Sequence, residues 1–353
     1  MGNQTRPEKV VAWRRKRRKK AQSSPSHLVG RASIGILGVA SIALIMAIAL
    51  FALSFIKLTE DLPSIDQLPI LLGEKGLLRQ PTELYDRTGE TLLVSLENPN
   101  TTQSEYLFLE LIPQQVIDAT LAVRDPDFWS HAGYQLKAEK LTLAEQLVEE
   151  LLLWQEPESL QHTWRRRILA AQITKQFGRE TILEWYLNNA DYGQLAFGVD
   201  EASRVYFGKS VREVSLAEAA LLAAAVDAPA LNPIDAPQIA TERQGRILQS
   251  MLAQGFLTES EALAANQEPI LLQTSALPLT EIAPDFTEQA LKTLYTEIGQ
   301  TRVERGGYQV RTSVDLEVQQ QATCTLEVQL ARLDGSLPLD SLGNRSCQAA
   351  GLL

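Results

Sequence analysis

Three groups of residues in this 353-residue chain have types and spacings that could do chemistry. The first is Arg124, Asp125, Phe128, His131 and Gly133, followed closely by Thr142 and Gln146. The second is the run Arg165-Arg166-Arg167 within WRRRILAAQ (164–172). The third is Tyr186 and Asn188 within ILEWYLNNADYG (182–193). Arginine stays protonated at physiological pH and only donates hydrogen bonds, so it cannot act as a general base. Its planar fork does match phosphate oxygens, and the triple run reads either as a pyrophosphate clamp or as a solvated helix face. Nearby acids in the sequence are Asp125, Asp127, Glu139 and Glu145; on a continuous helix Asp127 would share a face with Arg124, displaced by most of a turn. Only three histidines are present, and the two cysteines, Cys324 and Cys347, are 23 positions apart, a spacing that fits no zinc pattern. A disulfide between them outside the cytoplasm would contribute on the order of 3 kcal/mol.

Most of the elements that must hold these residues read as helices. From Ile112 to Ala265 apolar residues recur at spacings of three and four, with Ala- and Leu-rich runs such as SLAEAALLAAA (215–225) and stops expected at Pro229, Pro233 and Pro237. Before them, PTELYDRTGETLLVSL (81–96) reads as two short strands around Asp86–Gly89. LFLELI (107–112) is apolar enough for either a buried strand or a dip into a membrane. A polar, proline-marked linker (266–284) precedes an amphipathic helix near 285–300 and a strand-like alternation in GGYQVRTSVD (306–315). Trp129, Trp154, Trp164 and Trp185 are expected to pack the core or to meet lipid headgroups. There is no internal repeat.

Charge is distributed in two blocks. Residues 1–31 hold ten Lys/Arg against Glu8 alone, whereas the remainder holds 23 bases and 42 acids. Between the blocks, Ile34–Ile56 is uncharged for 23 residues, enough to cross a hydrocarbon core of about 30 Å. The basic run Arg14-Arg15-Lys16-Arg17-Arg18-Lys19-Lys20 should keep the N-terminus in the cytoplasm, so the segment reads as a retained single-pass anchor and not as a cleaved signal. The basic head then serves topology, and no nucleic-acid partner is expected. The expected organisation is a basic cytoplasmic tail (1–31), a transmembrane helix (32–57), a linker (58–80), a helical domain (81–265), a second linker (266–284) and a C-terminal α+β stub (285–353).

IPQQVIDATLAVRDPDFWSHAGY (112–134), with Asp125, Phe128, His131 and Gly133 at the right intervals, resembles the first motif of glycosyltransferase family 51, the peptidoglycan glycosyltransferase domain of class A penicillin-binding proteins. ILEWYLNNADYG, FGVDEASRVYFGKS (197–210), LAEAALLAAAVDAPALNPI (216–234) and RQGRILQSMLAQGFLTESEA (243–262) are similar to its later motif regions, in order and spacing. The resemblance implies a mainly α, lysozyme-like domain with one N-terminal transmembrane helix. It also implies cell-wall biogenesis, in which lipid II is polymerised as a 4-hydroxyl displaces undecaprenyl pyrophosphate. By resemblance, Asp125, Phe128, His131, Gly133, Thr142, Gln146, Arg165, Tyr186 and Asn188 would contact substrate, and a divalent metal is admissible as cofactor. The implied partners are the membrane, lipid II or glycan strands, and other cell-wall synthases.

The sequence departs from this family where the chemistry should lie. Arg124 stands where the family has its general base, and Arg166, counted back from Tyr186, where it has a second glutamate. The family's Gly-x-Ser-Thr-Ile-Thr-Gln-Gln motif survives only as LTLAEQL (141–147), and the interval between the first two motifs is short by about 15 residues. General-base catalysis is worth about 10²–10⁴-fold, so little or no turnover is expected. Two arginines facing one cleft should instead hold an anion. GGYQVRTSVDLEVQQQA (306–322) is similar to the start of a penicillin-binding transpeptidase domain, yet Lys-Thr-Gly is absent and the only Ser-x-x-Lys is Ser54–Lys57, in the anchor.

Overall fold

The computed structural model describes residues 26–101, 104–137, 140–273 and 282–335. Cys347, Glu139 and the basic run 14–20 lie outside the described residues. The chain divides into two units, Met1–Leu62 and Pro63–Leu353. In the first, helix α1 spans Ser26–Thr59, and its Leu37–Thr59 stretch, with mean hydropathy 2.7, is long and apolar enough to cross a membrane.

The second unit is mainly α. A short helix α2 (Leu68–Leu72) leads to strands β1 (Thr82–Tyr85) and β2 (Leu92–Leu96), an antiparallel hairpin. Helices α3 (Gln114–Arg124), α4 (Leu143–Leu151), α5 (Leu160–Phe177), α6 (Arg179–Asn189), α7 (Val199–Phe207), α8 (Leu216–Asp227), α9 (Pro237–Ala253) and α10 (Glu259–Gln267) follow. Then come α11 (Pro284–Ile298), α12 (Gln300–Arg305), strand β3 (Gln309–Arg311) and α13 (Leu316–Leu333). β3 pairs in parallel with β1, giving the order β2-β1-β3. Segments of the second unit distant in sequence are thereby clasped: Thr82 Oγ1 donates to Val303 O at 2.6 Å and Gly307 N to Gln80 O at 2.7 Å.

Local sequence explains the helix boundaries. Reciprocal capping boxes, Thr142/Glu145, Ser215/Glu218 and Thr258/Glu261, start α4, α8 and α10 by satisfying amide donors that have no partner within the helix. α8 is apolar almost all round because it is buried on several sides. Its Ala217, Ala220, Ala223 and Ala224 meet Ala119 and Ala122 of α3 and Ile247, Leu248 and Met251 of α9, small side chains allowing close approach. Leu84, Leu93, Val94, Leu291 and Val303 form a second core under the sheet.

Two expectations need correcting. Pro237 opens α9 and does not end a helix, as a residue without an N–H is suited to a first-turn position. LFLELI is not a strand: Leu107 is buried, Leu109–Leu111 is a 3₁₀ turn, and Phe108 and Leu111 point to solvent. The four tryptophans divide: Trp185 packs in the core, and Trp129, Trp154 and Trp164 are substantially exposed.

Candidate functional site

The loop after α3 is built as a rigid frame. α3 ends at Arg124 and Asp125 caps it with φ −155°, so Asp127 leaves the helix and does not share Arg124's face. Gly133 N–H donates to His131 Nδ1 at 3.0 Å, which leaves the ring proton of the neutral tautomer on Nε2, 2.9 Å from Asp125 Oδ1. The other Asp125 oxygen accepts from Leu143 N at 3.1 Å, at the start of α4, and Thr142 Oγ1 donates to Gly133 O at 2.6 Å. Phe128 is buried edge-on to His131. Gly133 has φ +97°, and a Cβ there would come within 2.3 Å of Thr174 Oγ1 and 2.4 Å of Ala170 O. Asp125, Phe128, His131, Gly133 and Thr142 are therefore brought together, with their polar atoms engaged in holding one another.

Arg124 begins a second network. Its Nη1 lies 3.2 Å from Asp227 Oδ1, and its Nη2 donates to Gln146 Oε1. Asp227, at the end of α8, also takes Lys140 Nζ at 2.6 Å and Arg243 Nη2 at 2.5 Å. Burial alone would raise the Asp227 pKa, but Lys140 and Arg124 carry it below the usual carboxylate value. Gln146 Nε2 passes on to Glu150 Oε1 at 2.8 Å, and Glu150 Oε2 meets Arg305 of α12 at 2.5 Å. Tyr186 is fully buried, and its phenol is pushed up to about 12, chiefly by burial, although the neighbouring Arg124 opposes the rise.

The arginine run forms a third network between α4 and α5. Arg166 Nη1 lies 3.0 Å from Glu149 Oε2 and its Nε 3.9 Å from Glu145 Oε1. Arg167 Nε is 3.7 Å from Glu145 Oε1, and buried Arg165 pairs with Glu156 at 3.0 Å. The run is thus neither a solvated face nor a set of free cations. Asn188 stands apart: it exchanges two 2.8 Å hydrogen bonds with the backbone of Leu107, in the manner of a peptide group.

Arg124 and Arg166, expected to face one cleft and hold an anion, are each paired with a carboxylate of the chain itself. Asp227, Glu149, Glu150, Lys140, Arg243 and Arg305 were not anticipated. Of these only Glu149 carried a signal: a helix with three consecutive arginines must find acids, and Glu145 and Glu149, one turn apart, offer a matching face. Among the described residues, Arg124 lies beside Asp227 and Gln146. Its closest carboxylates are engaged by cations, and the lowered Asp227 pKa runs opposite to what proton abstraction near neutrality requires. Among the described residues no three His, Cys, Asp or Glu side chains could together hold a metal ion.

A family model described as Transglycosylase matches residues 141–252. Penicillin-binding protein 1A of Aquifex aeolicus (strain VF5) is 31% identical over 319 residues, covering 85% of this chain and 41% of the relative. Penicillin-binding protein 1A of Pseudomonas aeruginosa is 30% identical over 290 residues, covering 77% and 34%. The crystal structure of Penicillin-Binding Protein 1A from Haemophilus influenzae matches 72% of this chain and 29% of its own, at 24% identity and a TM-score of 0.39. The chain spans about two fifths or less of the length of these relatives. Over the helical body that holds Thr142, Gln146, Arg166, Tyr186 and Asn188, this chain belongs to the transglycosylase family, glycosyltransferase family 51.

Proposed function

We propose that this chain is a membrane-anchored cell-wall biogenesis protein, its N-terminus cytoplasmic and its helical body outside, that engages lipid II or glycan strands without polymerising them. The observation that carries this reading is Arg124, locked between Asp227 and Gln146 where the resemblance expects a base. A guanidinium cannot accept the proton of an attacking hydroxyl, and Tyr186, with its pKa pushed up to about 12, does not replace it at neutral pH. Purified full-length protein should bind labelled lipid II and release no polymer. Glycan chains sensitive to a lipid II-competitive inhibitor would sink the proposal.

One observation favours a second reading, a structural or regulatory partner of cell-wall synthases. A pyrophosphate entering beside Arg124 or Arg166 must displace Asp227 or Glu149. A charge-assisted contact adds about 1.5–3 kcal/mol, and exchanging one carboxylate for another anion recovers little of it. Absence of saturable lipid II binding in the same assay selects this reading over the first.

A further inference from the structure

The short helix α12 is held firmly against the end of α4. Glycines bracket it, Gly299 at φ +98° and Gly306 at φ +110°, and the carbonyl of buried Val303 accepts from Thr82 Oγ1 at 2.6 Å. Arg302 and Arg305, three positions apart, therefore share one face at fixed places. Arg305 is buried; its Nη2 lies 2.5 Å from Glu150 Oε2, and its Nε has no hydrogen-bond partner. Arg302 lies over the Trp154 ring, 3.9 Å from the centroid, and its Nη2 donates to the backbone carbonyl of Glu150. Tyr308 is a further polar neighbour. Both carboxylate oxygens of Glu150 are already taken, one by Gln146 Nε2 at 2.8 Å and the other by Arg305. Two guanidinium charges thus share one carboxylate. Beside them lies a cavity of about 250 Å³, lined by Leu78, Glu150, Leu151, Thr301, Arg302 and Arg305.

We propose that this cavity is a binding site for a small carboxylate with an aliphatic body, of the kind presented by the free C-terminus of a short peptide. The charge count selects the anion. One carboxylate against two guanidinia leaves a place for a single further negative charge, which a carboxylate supplies, whereas a phosphate ester carries about 1.5–2 near neutrality. The guanidinium forks and the Thr301 hydroxyl would hold the carboxylate, and Leu78 and Leu151 would take the aliphatic body. Stacking on Trp154 keeps the Arg302 fork in place before the ligand arrives. Glu150 carries the one opposing charge in the lining, and Arg305 offsets it. The site does not involve the Arg124 guanidinium, so it stands or falls separately from lipid II engagement.

The test is saturation-transfer NMR on the full chain in detergent micelles. N-acetyl-alanyl-alanine is the probe, its C-terminal amide the control, and acetate and inorganic phosphate are competitors. The acid should bind saturably with a Kd of about 1 mM or lower, the amide should give no saturable signal, and acetate should displace the probe more readily than phosphate. Arg302→Gln removes one fork. Thr301→Glu supplies a carboxylate to the cavity from a solvent-exposed position, where folding is not at stake. Each should weaken binding of the acid about tenfold or more, and Thr301→Glu decides alone if Arg302→Gln does not fold. Absence of saturable binding, equal binding of acid and amide, phosphate displacing the probe as readily as acetate, or undiminished binding in a folded variant overturns the site.

Discussion

Arg124→Glu would put a carboxylate where the resemblance expects a base, but into surroundings built for a cation. The new acid would face Asp227, with side chains that are only 14% and 12% exposed at present. Breaking a buried pair in this way costs about 3–5 kcal/mol, so a large drop in thermal unfolding temperature is expected. Arg124→Met should cost less, since Lys140 and Arg243 still hold Asp227. Adding Arg166→Glu would leave three acids, with Glu145 and Glu149, on facing turns, and the double variant should still make no polymer from lipid II. Glu201 gives a second expectation at this scale. Its folded pKa, about 7, exceeds the ordinary 4.5, so its contribution to stability is complete below 4.5 and lost as pH rises through 7. Glu201→Gln should flatten this dependence and be the more stable form at pH 8, by up to about 3 kcal/mol on the 1.36 kcal/mol per unit scale, as measured by urea unfolding at pH 5 and pH 8.

Between elements, the tightest constraint is where the loop after α3 crosses α5. Gly133→Ala would drive a methyl into Thr174 Oγ1 and Ala170 O at a positive φ, and should cost about 2–4 kcal/mol in thermal unfolding. Glycine at this position is therefore explained by packing, whatever its part in binding substrate. The sequence reveals the helices readily, because apolar periodicity and Ser/Thr-x-x-Glu caps are local signals, and the 82–96 hairpin is equally legible from its turn residues. Legibility ends at pairings between distant residues. Nothing near Arg124 announces Asp227, about a hundred positions on, and a buried ion pair can be assembled from any acid that the fold brings close. Asn188 shows the same limit: its type and spacing suit substrate contact, yet its amide is consumed by Leu107.

For the molecule as a whole, topology is the first expectation to check. A reporter fused at residue 353 should be active only outside the cytoplasm, and protease added to intact spheroplasts should spare residues 1–31. Cys324 is disulfide-bonded, and non-reducing peptide mapping should recover it linked to Cys347; two free thiols would contradict this. The clasp between β1 and β3 also sets a schedule for the chain's birth. β1 leaves the ribosome more than two hundred residues before Gln309, and at 5–20 residues per second its second neighbour arrives roughly ten to forty seconds later. The alanine-rich helices can pack meanwhile from nearby partners, but one edge of β1 must wait, its backbone groups open to any passing strand. A nascent chain stalled before residue 309 should thus recruit chaperones through that edge, whereas one stalled beyond α13 should not.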